Sequence, residues 1–224
     1  MAGIGSIEQD VREAIIRGTF APASRLRMEE LKARFDVGFS PIREALSRLI
    51  GEGLVELEPN RGFRVAPLSK EDLEDIAVSR IAVETAALRR SIELGDDRWE
   101  AAVVGAMHRY RRNAQDPFAG GASLLAWEAA HDDLHGALIG ACGSPRLLMM
   151  QRRLQDQHLR YRRLVVVPEV SGDVHVEEHE KIVALALDRD ADAATAEIER
   201  HMRITVDALT NARFWESKGP ARTR

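Results

Sequence analysis

The pattern of the sequence changes near residue 69, and this change most constrains what the chain can fold into. Before it, short amphipathic segments are followed by two alternating segments at 54–58 and 62–66, joined by a Pro-Asn-Arg-Gly turn that predicts a β-hairpin. After it, nearly every stretch has helical periodicity, and glycine and proline fall at the breaks. We therefore predict a mainly α protein with a small α+β domain at 1–68 and an all-α domain at 69–224.

Composition narrows the class of protein. The chain has 32 Lys+Arg against 36 Asp+Glu and a net charge of -4, which argues against a general nucleic-acid coat because such a coat needs a basic excess. The single cysteine, Cys142, permits no intrachain disulfide and fits a reducing compartment. The sequence contains neither a signal-like leader nor an apolar run long enough to span a membrane. We expect a cytoplasmic protein.

The first domain has the order helix, helix, helix, hairpin, which is the plan of a winged helix-turn-helix. The third helix lies within VGFSPIREALSRLIGEGL, where Ser40 is the predicted N-cap and Pro41 the first helical residue. In this plan the third helix enters the major groove of DNA and the hairpin, or wing, contacts the backbone or the minor groove. The element order thus predicts a DNA-binding domain.

Five residues are the predicted DNA contacts. Ser40 and Arg43 lie at the start of the third helix, where Arg43 can donate two hydrogen bonds to guanine, worth about 1–3 kcal/mol of discrimination. Arg48 lies farther along and is placed to reach the backbone, while Arg61 and Gly62 occupy the hairpin tip. The solvated face of an ordinary amphipathic helix has the same pattern, and the near-neutral charge of this domain leaves that alternative open.

Histidines in three predicted helices suggest a metal site. His131 and His135 are four residues apart in AHDDLHGAL, so they share one helical face. His179 and His201 lie in two later helices joined by a short DRDADA turn, so both can face one bundle interior. A site made of four imidazoles favours a borderline transition metal, zinc or nickel, over magnesium or calcium.

Other interpretations of this segment stay open. Asp132 or Glu128 offers an oxygen ligand in place of His131, although Asp132 points about 100° away on an ideal helix. A metal-dependent enzyme is the rival function, but HDDLH lacks the glutamate that follows the first histidine in HExxH. A purely structural metal, or no metal, is the third possibility. We predict a protein that is not an enzyme.

The segment SPIREALSRLIGEGLVELEPNRGFRVAPLS resembles the DNA-binding signature of the GntR family of bacterial transcription regulators, and the match extends over residues 10–69. The resemblance implies a homodimer that binds a two-fold operator in double-stranded DNA through Ser40, Arg43 and the wing. One departure is Phe39, at a position where many members carry an arginine. This departure implies that the operator differs from the commonest sequence of the family.

Residues 70–215 resemble the FCD domain, the ligand-binding domain in the FadR-type branch of that family. Its pattern has an acidic residue four before a histidine, a histidine in a later helix and a third about 22 residues on. His135, His179 and His201 match the three histidines, and His131 stands at the acidic position. The resemblance therefore implies a metal site that here has a fourth imidazole.

The segment WEAAHDDLHGALIGACGSPRLL, with RYRRL downstream, is similar to CsiR-type repressors, which control catabolism of glutarate and γ-aminobutyrate and respond to a small dicarboxylate. The resemblance implies a repressor that a glutarate-like dicarboxylate releases from DNA. A metal in an interior cavity attracts carboxylates, and arginine is the expected second clamp. We predict Arg80, Arg160 and Arg162 as effector-binding residues, with pairing of Arg80 to Glu84 as the alternative for Arg80.

Overall fold

The structure is a computed structural model that describes residues 4–114, 121–165 and 173–215. It divides into two compact units, of which unit 1 contains Met1–Ile76 with Arg153–Val166, and unit 2 contains Ala77–Arg152 with Val167–Arg224. The fold is mainly α with one small antiparallel sheet, as the sequence predicts. No helix in the described part of the chain is long and apolar enough to cross a membrane.

Unit 1 has the predicted order of three helices and a hairpin, with one short strand that the sequence pattern does not reveal. Its sheet has the strand order β1-β3-β2, and the pair Val55 and Val65 sets the register of the hairpin. Apolar side chains from all three helices and from the sheet form one core. The elements of this unit are α1 (Ile4–Ile16), β1 (Arg25–Leu26), α2 (Met28–Phe35), α3 (Phe39–Gly51), β2 (Val55–Glu58) and β3 (Gly62–Val65).

The prediction that Ser40 caps α3 is wrong. The helix begins at Phe39, and its N-cap is Gly38, whose backbone is extended and which has no side chain to accept a capping bond. Pro41 is therefore the third helical residue, a position that tolerates proline because the first amides of a helix lack intrahelical partners. Ser40 lies within the first turn of the helix, and its side chain is exposed.

Unit 1 also includes a segment of a later helix, α7 (Pro145–Leu164). Gln157 Nε2 donates to the carbonyl oxygen of Glu52 at 2.6 Å. Tyr161 Oη donates to Asp72 Oδ2 at 2.5 Å and accepts from the backbone N–H of Ser69. Residues 153–165 therefore pack with the first domain in this structure.

Unit 2 is a helical bundle with a single apolar core, to which Trp99, Leu134 and Ile198 contribute. Helix α4, whose residues up to Ile76 belong to unit 1, begins at the predicted cap, where Ser69 Oγ accepts from the backbone N–H of Asp72 at 3.0 Å. A short 3-10 helix at Arg213–Trp215 follows the last α-helix, so the helix predicted to reach 214 ends earlier. The other helices are α4 (Lys70–Leu94), α5 (Asp97–Asn113), α6 (Gly121–Ile139), α8 (Asp173–Leu187) and α9 (Ala191–Thr210).

Candidate metal centre and nucleic-acid interface

Four imidazoles converge in the interior of unit 2. His131 and His135 come from α6, His179 from α8 and His201 from α9, and all four side chains are buried. One nitrogen of each ring lies within 4.8 Å of the corresponding nitrogen of every other ring. The helices that carry these residues pack around a common core, so the convergence follows from the bundle and not from the sequence spacing alone.

The geometry of this four-histidine cluster fits a transition-metal ion. His135 Nε2 and His179 Nε2 lie 3.3 Å apart. Imidazole nitrogens that bind one zinc ion at about 2.1 Å in a tetrahedron are separated by about 3.4 Å. The donor set is nitrogen only, which suits zinc, nickel or copper better than magnesium or calcium. The predicted convergence of the histidines is therefore present, and its chemistry favours a borderline metal.

Two carboxylates, the buried Glu84 and the half-buried Glu178, orient the histidine rings. Glu84 Oε2 lies 3.2 Å from His135 Nδ1, and Glu178 Oε2 lies 2.8 Å from His201 Nδ1. When Nδ1–H donates to a carboxylate, the lone pair of the neutral ring is on Nε2, which is the nitrogen left to bind a metal. No sequence pattern predicted these carboxylates as partners of the histidines. For Glu84, the one signal was its place in an apolar stretch of α4.

Glu84 is held ionised by its partners. Burial raises the pKa of this carboxyl, but the charge of Arg80 and the hydrogen bond from His135 outweigh burial and lower the pKa to about 2. Nε and Nη2 of Arg80 both donate to Glu84 Oε1, at 3.0 and 2.7 Å. Arg80 therefore pairs with Glu84, which was the alternative prediction for Arg80. Through Glu84, this pair contacts His135 of the histidine cluster.

Aromatic rings line the histidine cluster, and the sequence pattern did not single them out. The ring of Tyr110 lies 4.7 Å from that of His179, and the ring of Trp127 lies 5.7 Å from that of His131. Both aromatic side chains are buried in the core of unit 2. They limit access of water to the cluster, which strengthens electrostatic interactions there.

The acidic alternative to His131 lies outside the cluster. Asp132 Oδ1 is 3.7 Å from His131 Nδ1, a distance too long for a hydrogen bond. The group of side chains that converge contains only the histidines among the described residues. This placement favours His131 over Asp132 as the fourth ligand.

The other two arginines predicted to bind an effector belong to unit 1, whereas the four histidines belong to unit 2. Arg160 is buried, and its Nη2 donates to the carbonyl oxygen of Ala66 at the base of the wing. Arg162 is half-buried on the same helical segment. The contact of Arg160 differs from its predicted role, because the guanidinium binds a backbone carbonyl of the first domain.

Helix α3 presents one polar face to solvent, on which the predicted DNA contacts lie. Arg43 and Arg61 are exposed and form no ion pair with any residue in the described ranges. Arg48, in contrast, pairs with Glu44 at 2.9 Å and with Glu8 at 3.3 Å. Gly62 follows Arg61 at the wing tip with a φ of 82°, a conformation that favours glycine. Arg43 and Arg61 are therefore the cations most available for phosphate or bases.

Comparisons with known protein families agree with this geometry. Residues 4–65 match the family described as bacterial regulatory proteins, gntR family, and residues 75–204 match the FCD domain. The chain belongs to the GntR family. Its all-α half is an FCD domain, so this GntR regulator has the two-domain organisation of transcription regulators that bind DNA.

Curated relatives of this GntR regulator are transcription regulators. BphR of Paraburkholderia xenovorans, an uncharacterized HTH-type transcriptional regulator, is 39% identical over 90% of this chain and 82% of its own. The HTH-type transcriptional repressor GlaR of Escherichia coli is 35% identical over 90% of this chain and 93% of its own. The prediction that the chain is not an enzyme is confirmed by these families and relatives.

Solved structures share the fold of this GntR regulator. McbR/YncC of E. coli superposes with a TM-score of 0.75 at 18% identity, and covers 98% of this chain and 100% of its own. A putative GntR regulator from Rhodococcus sp. RHA1 gives a TM-score of 0.73 at 22% identity, with 92% and 96% covered. At these identities the likeness extends to the fold alone.

Proposed function

We propose that this GntR regulator is a homodimeric repressor that binds a two-fold operator and is released by a small carboxylate bound at a metal centre. The observation that carries the proposal is the convergence of four buried imidazoles from three helices, His131, His135, His179 and His201. Such a cluster contributes little to a core except as a set of ligands, since buried imidazoles need polar partners. The relative GlaR is named a transcriptional repressor, which supports repression rather than activation.

The metal we propose is zinc or nickel. Four neutral imidazoles would leave the full charge of a bound ion at the centre, apart from the carboxylates of Glu84 and Glu178 behind the rings. A bound ion of this kind would supply a positive charge that attracts an anion. In the chain itself, Glu84 and Glu178 hold His135 and His201 with Nε2 available, and the buried Tyr110 and Trp127 exclude water.

The effector we propose is a dicarboxylate of four to six carbons, as the resemblance to CsiR-type repressors implies. Arg80 is the arginine retained from the predicted clamp, because it lies in the same unit as the histidines and its carboxylate partner, Glu84, contacts His135. Arg160 is not retained, since its guanidinium is buried against the carbonyl of Ala66. A carboxylate that approaches Arg80 competes with Glu84 for the same guanidinium.

Release from DNA is a shift between two conformations of the dimer. A ligand shifts such an equilibrium only by the difference in its affinity for the two states. Coupling free energies between sites are typically about 1–3 kcal/mol, which corresponds to about 5–150-fold in affinity. We therefore expect the effector to weaken operator binding within that range.

The metal centre is tested by elemental analysis of full-length protein purified without chelator. We expect about one zinc or nickel per chain, and loss of that metal in the double variant His135→Ala, His179→Ala. His108→Ala is the matched control, because His108 is exposed on α5 and lies outside the cluster. A wild-type protein without bound metal, or a double variant that binds as much as the control, would defeat the metal centre.

The effector is tested by thermal denaturation with succinate, glutarate and adipate, each with and without EDTA. We expect one of these to raise the Tm of the metal-loaded protein and to release it from DNA upstream of its own gene. Stabilisation that persists in EDTA would mean that the acid binds without the metal. A Tm that rises with metal alone and with none of the acids would indicate a structural ion.

A further inference from the structure

One aromatic side chain stands on the polar face of α3. Phe39 is the first residue of the helix and is 41% exposed. The other exposed side chains of this helix are all polar or charged, namely Ser40, Arg43, Glu44, Ser47 and Arg48. An apolar ring at the N-terminal end of that face is therefore the exception on the surface that we propose to enter the major groove.

The ring of Phe39 is not part of the apolar core of unit 1. Phe20, Phe35 and Phe63 pack against the core of unit 1, whereas Phe39 does not belong to that core. The Nζ atom of Lys32 lies 4.9 Å from the centroid of the Phe39 ring. This cation–π contact places an ammonium beside the ring. Phe39 thus has one cation, Lys32, beside its ring, and a second exposed cation, Arg43, one helical turn later on α3.

The chemistry of the major groove limits what a phenyl ring can recognise. Guanine, adenine and cytosine present hydrogen-bond donors and acceptors there, and a phenyl ring can satisfy neither kind of group. Thymine alone presents an apolar group, its C5-methyl. A phenyl ring that contacts a base edge in the major groove therefore favours thymine over the other three bases.

We propose that Phe39 contacts the C5-methyl group of a thymine in each operator half-site. The inference rests on the proposed function, in which α3 reads the major groove. Phe39 and Arg43 are one helical turn apart, which places their Cβ atoms about 5–6 Å from each other. Base pairs are spaced by about 3.4 Å along the duplex, so the thymine lies within one or two base pairs of the guanine read by Arg43.

The test begins with full-length wild-type protein and a pool of duplex DNA with a randomised central region, from which bound sequences are selected. Each thymine of the selected sequence is then replaced by deoxyuridine, which lacks only the methyl group. We expect affinity to fall by about fourfold at one thymine of each half-site, the value of one methyl group removed from water. The other thymines should tolerate the replacement.

Substitutions at position 39 test whether the Phe39 ring causes the difference in affinity between the thymine and deoxyuridine duplexes. Phe39→Ala should bind the thymine and deoxyuridine duplexes equally, and Phe39→Leu should restore most of the discrimination because leucine is also apolar. Phe39→Arg should shift the preferred base at that position to guanine in a fresh selection. The matched control is Leu57→Ala, which removes another exposed apolar side chain, 60% exposed against 41% for Phe39, from the wing of the same unit.

The outcomes separate this inference from the function on which it rests. If no sequence is enriched, or if Arg43→Ala selects the same sequence as wild type, α3 does not read bases and the proposed function fails. If a sequence is enriched and depends on Arg43, but Phe39→Ala still discriminates thymine from deoxyuridine, the Phe39 inference alone is overturned. Loss of discrimination in Leu57→Ala would likewise overturn it. Circular dichroism checks that each variant is folded.

Discussion

The Oε2 atom of Glu84 lies 3.2 Å from Nδ1 of His135, and the two side chains are only 0% and 3% exposed. The other oxygen of the same carboxylate accepts from Arg80. A buried carboxylate with both oxygens occupied is held in one position, and it holds the imidazole in turn. The orientation of a candidate metal ligand therefore depends on a residue outside the four-histidine cluster.

This relationship predicts a weaker metal centre when the carboxylate is removed. Glu84→Gln and Glu178→Gln should each reduce metal affinity by about 10–100-fold, because an oriented ring nitrogen binds better than a free one. Affinity is measured by competition with a chromophoric chelator, and the absorption spectrum of the cobalt-loaded protein reports the ligand field. A changed cobalt spectrum distinguishes an altered ligand orientation from a general loss of stability.

The matched control is Glu177→Gln, since Glu177 is exposed and adjacent to Glu178 in sequence. It should leave both the affinity and the cobalt spectrum unchanged. Equal affinities in Glu84→Gln, Glu178→Gln and Glu177→Gln would show that these carboxylates do not orient the ligands.

Arg43 and Arg48 should differ in their effect on DNA binding. Arg43 has no ion-pair partner among the described residues, whereas Arg48 is paired with Glu44 and Glu8. Arg43→Ala should weaken binding to the selected operator by about 1–3 kcal/mol and relax the preference for guanine. Arg48→Ala should weaken all sequences alike and by less. Fluorescence anisotropy at several salt concentrations measures both, and equal loss of specificity in the two variants would contradict the assignment.

Tyr161 should make the stability of unit 1 depend on alkaline pH. Burial and the hydrogen bond to Asp72 raise the pKa of its hydroxyl, so the fold favours the neutral form. This contribution is complete below the pKa of the unfolded chain, about 10, and is lost as pH rises through the folded pKa. We expect Tyr161→Phe to lower the free energy of unfolding by about 1 kcal/mol at pH 7.

The pH dependence is measured as a difference between the two proteins, so that the other tyrosine and the lysines cancel. Urea denaturation at pH 7 and at several values above 10 gives the free energies of unfolding. The gap between wild type and Tyr161→Phe should narrow at alkaline pH. A gap that stays constant or widens would mean that the hydroxyl is not the group responsible.

Two glycines at the end of α3 should respond oppositely to alanine. Gly53 has a φ of 72°, and a Cβ there would lie 2.6 Å from Nε2 of Gln157. Gly53→Ala should therefore destabilise the protein by about 1–2 kcal/mol from the backbone alone, and further because Gln157 must release the carbonyl of Glu52. Gly51→Ala meets no atom within 4 Å at a helical position and should be neutral or stabilising. Thermal denaturation measures the Tm of both variants. Equal Tm values would contradict the expected clash between a Cβ at position 53 and Gln157.

Much of the secondary structure was predictable because its signals are local. The Pro-Asn-Arg-Gly turn predicted the hairpin, and the predicted helix at 145–164 coincides with α7. Ser69 was predicted to cap α4, and its hydroxyl accepts from the amide of Asp72. The start of α3 was misplaced because a serine before a proline is a strong capping signal, yet Gly38 provides the extended backbone that precedes the helix.

The four-histidine cluster was only partly predictable. The spacing of His131 and His135 predicted that both lie on one helical face. The resemblance to the FCD domain implied that His179 and His201 belong to the same site. The partners of the rings could not be found in this way, because Glu84 is 51 residues from His135 and nothing local relates the two. Arg160 was predicted to bind an anion because it lies in a basic stretch. In the structure its guanidinium is buried and donates to the carbonyl oxygen of Ala66.

The sequence by itself determined the helices, the hairpin and the identity of the four histidines, because side-chain periodicity and backbone hydrogen bonding act over a few residues. The tertiary structure alone decided that residues 153–165 pack with the first domain and that Glu84 joins Arg80 to His135. These outcomes depend on which distant surfaces bury each other. The surfaces that pack are selected by the summed energy of many weak contacts over the whole fold. No short stretch of sequence is therefore enough to predict them.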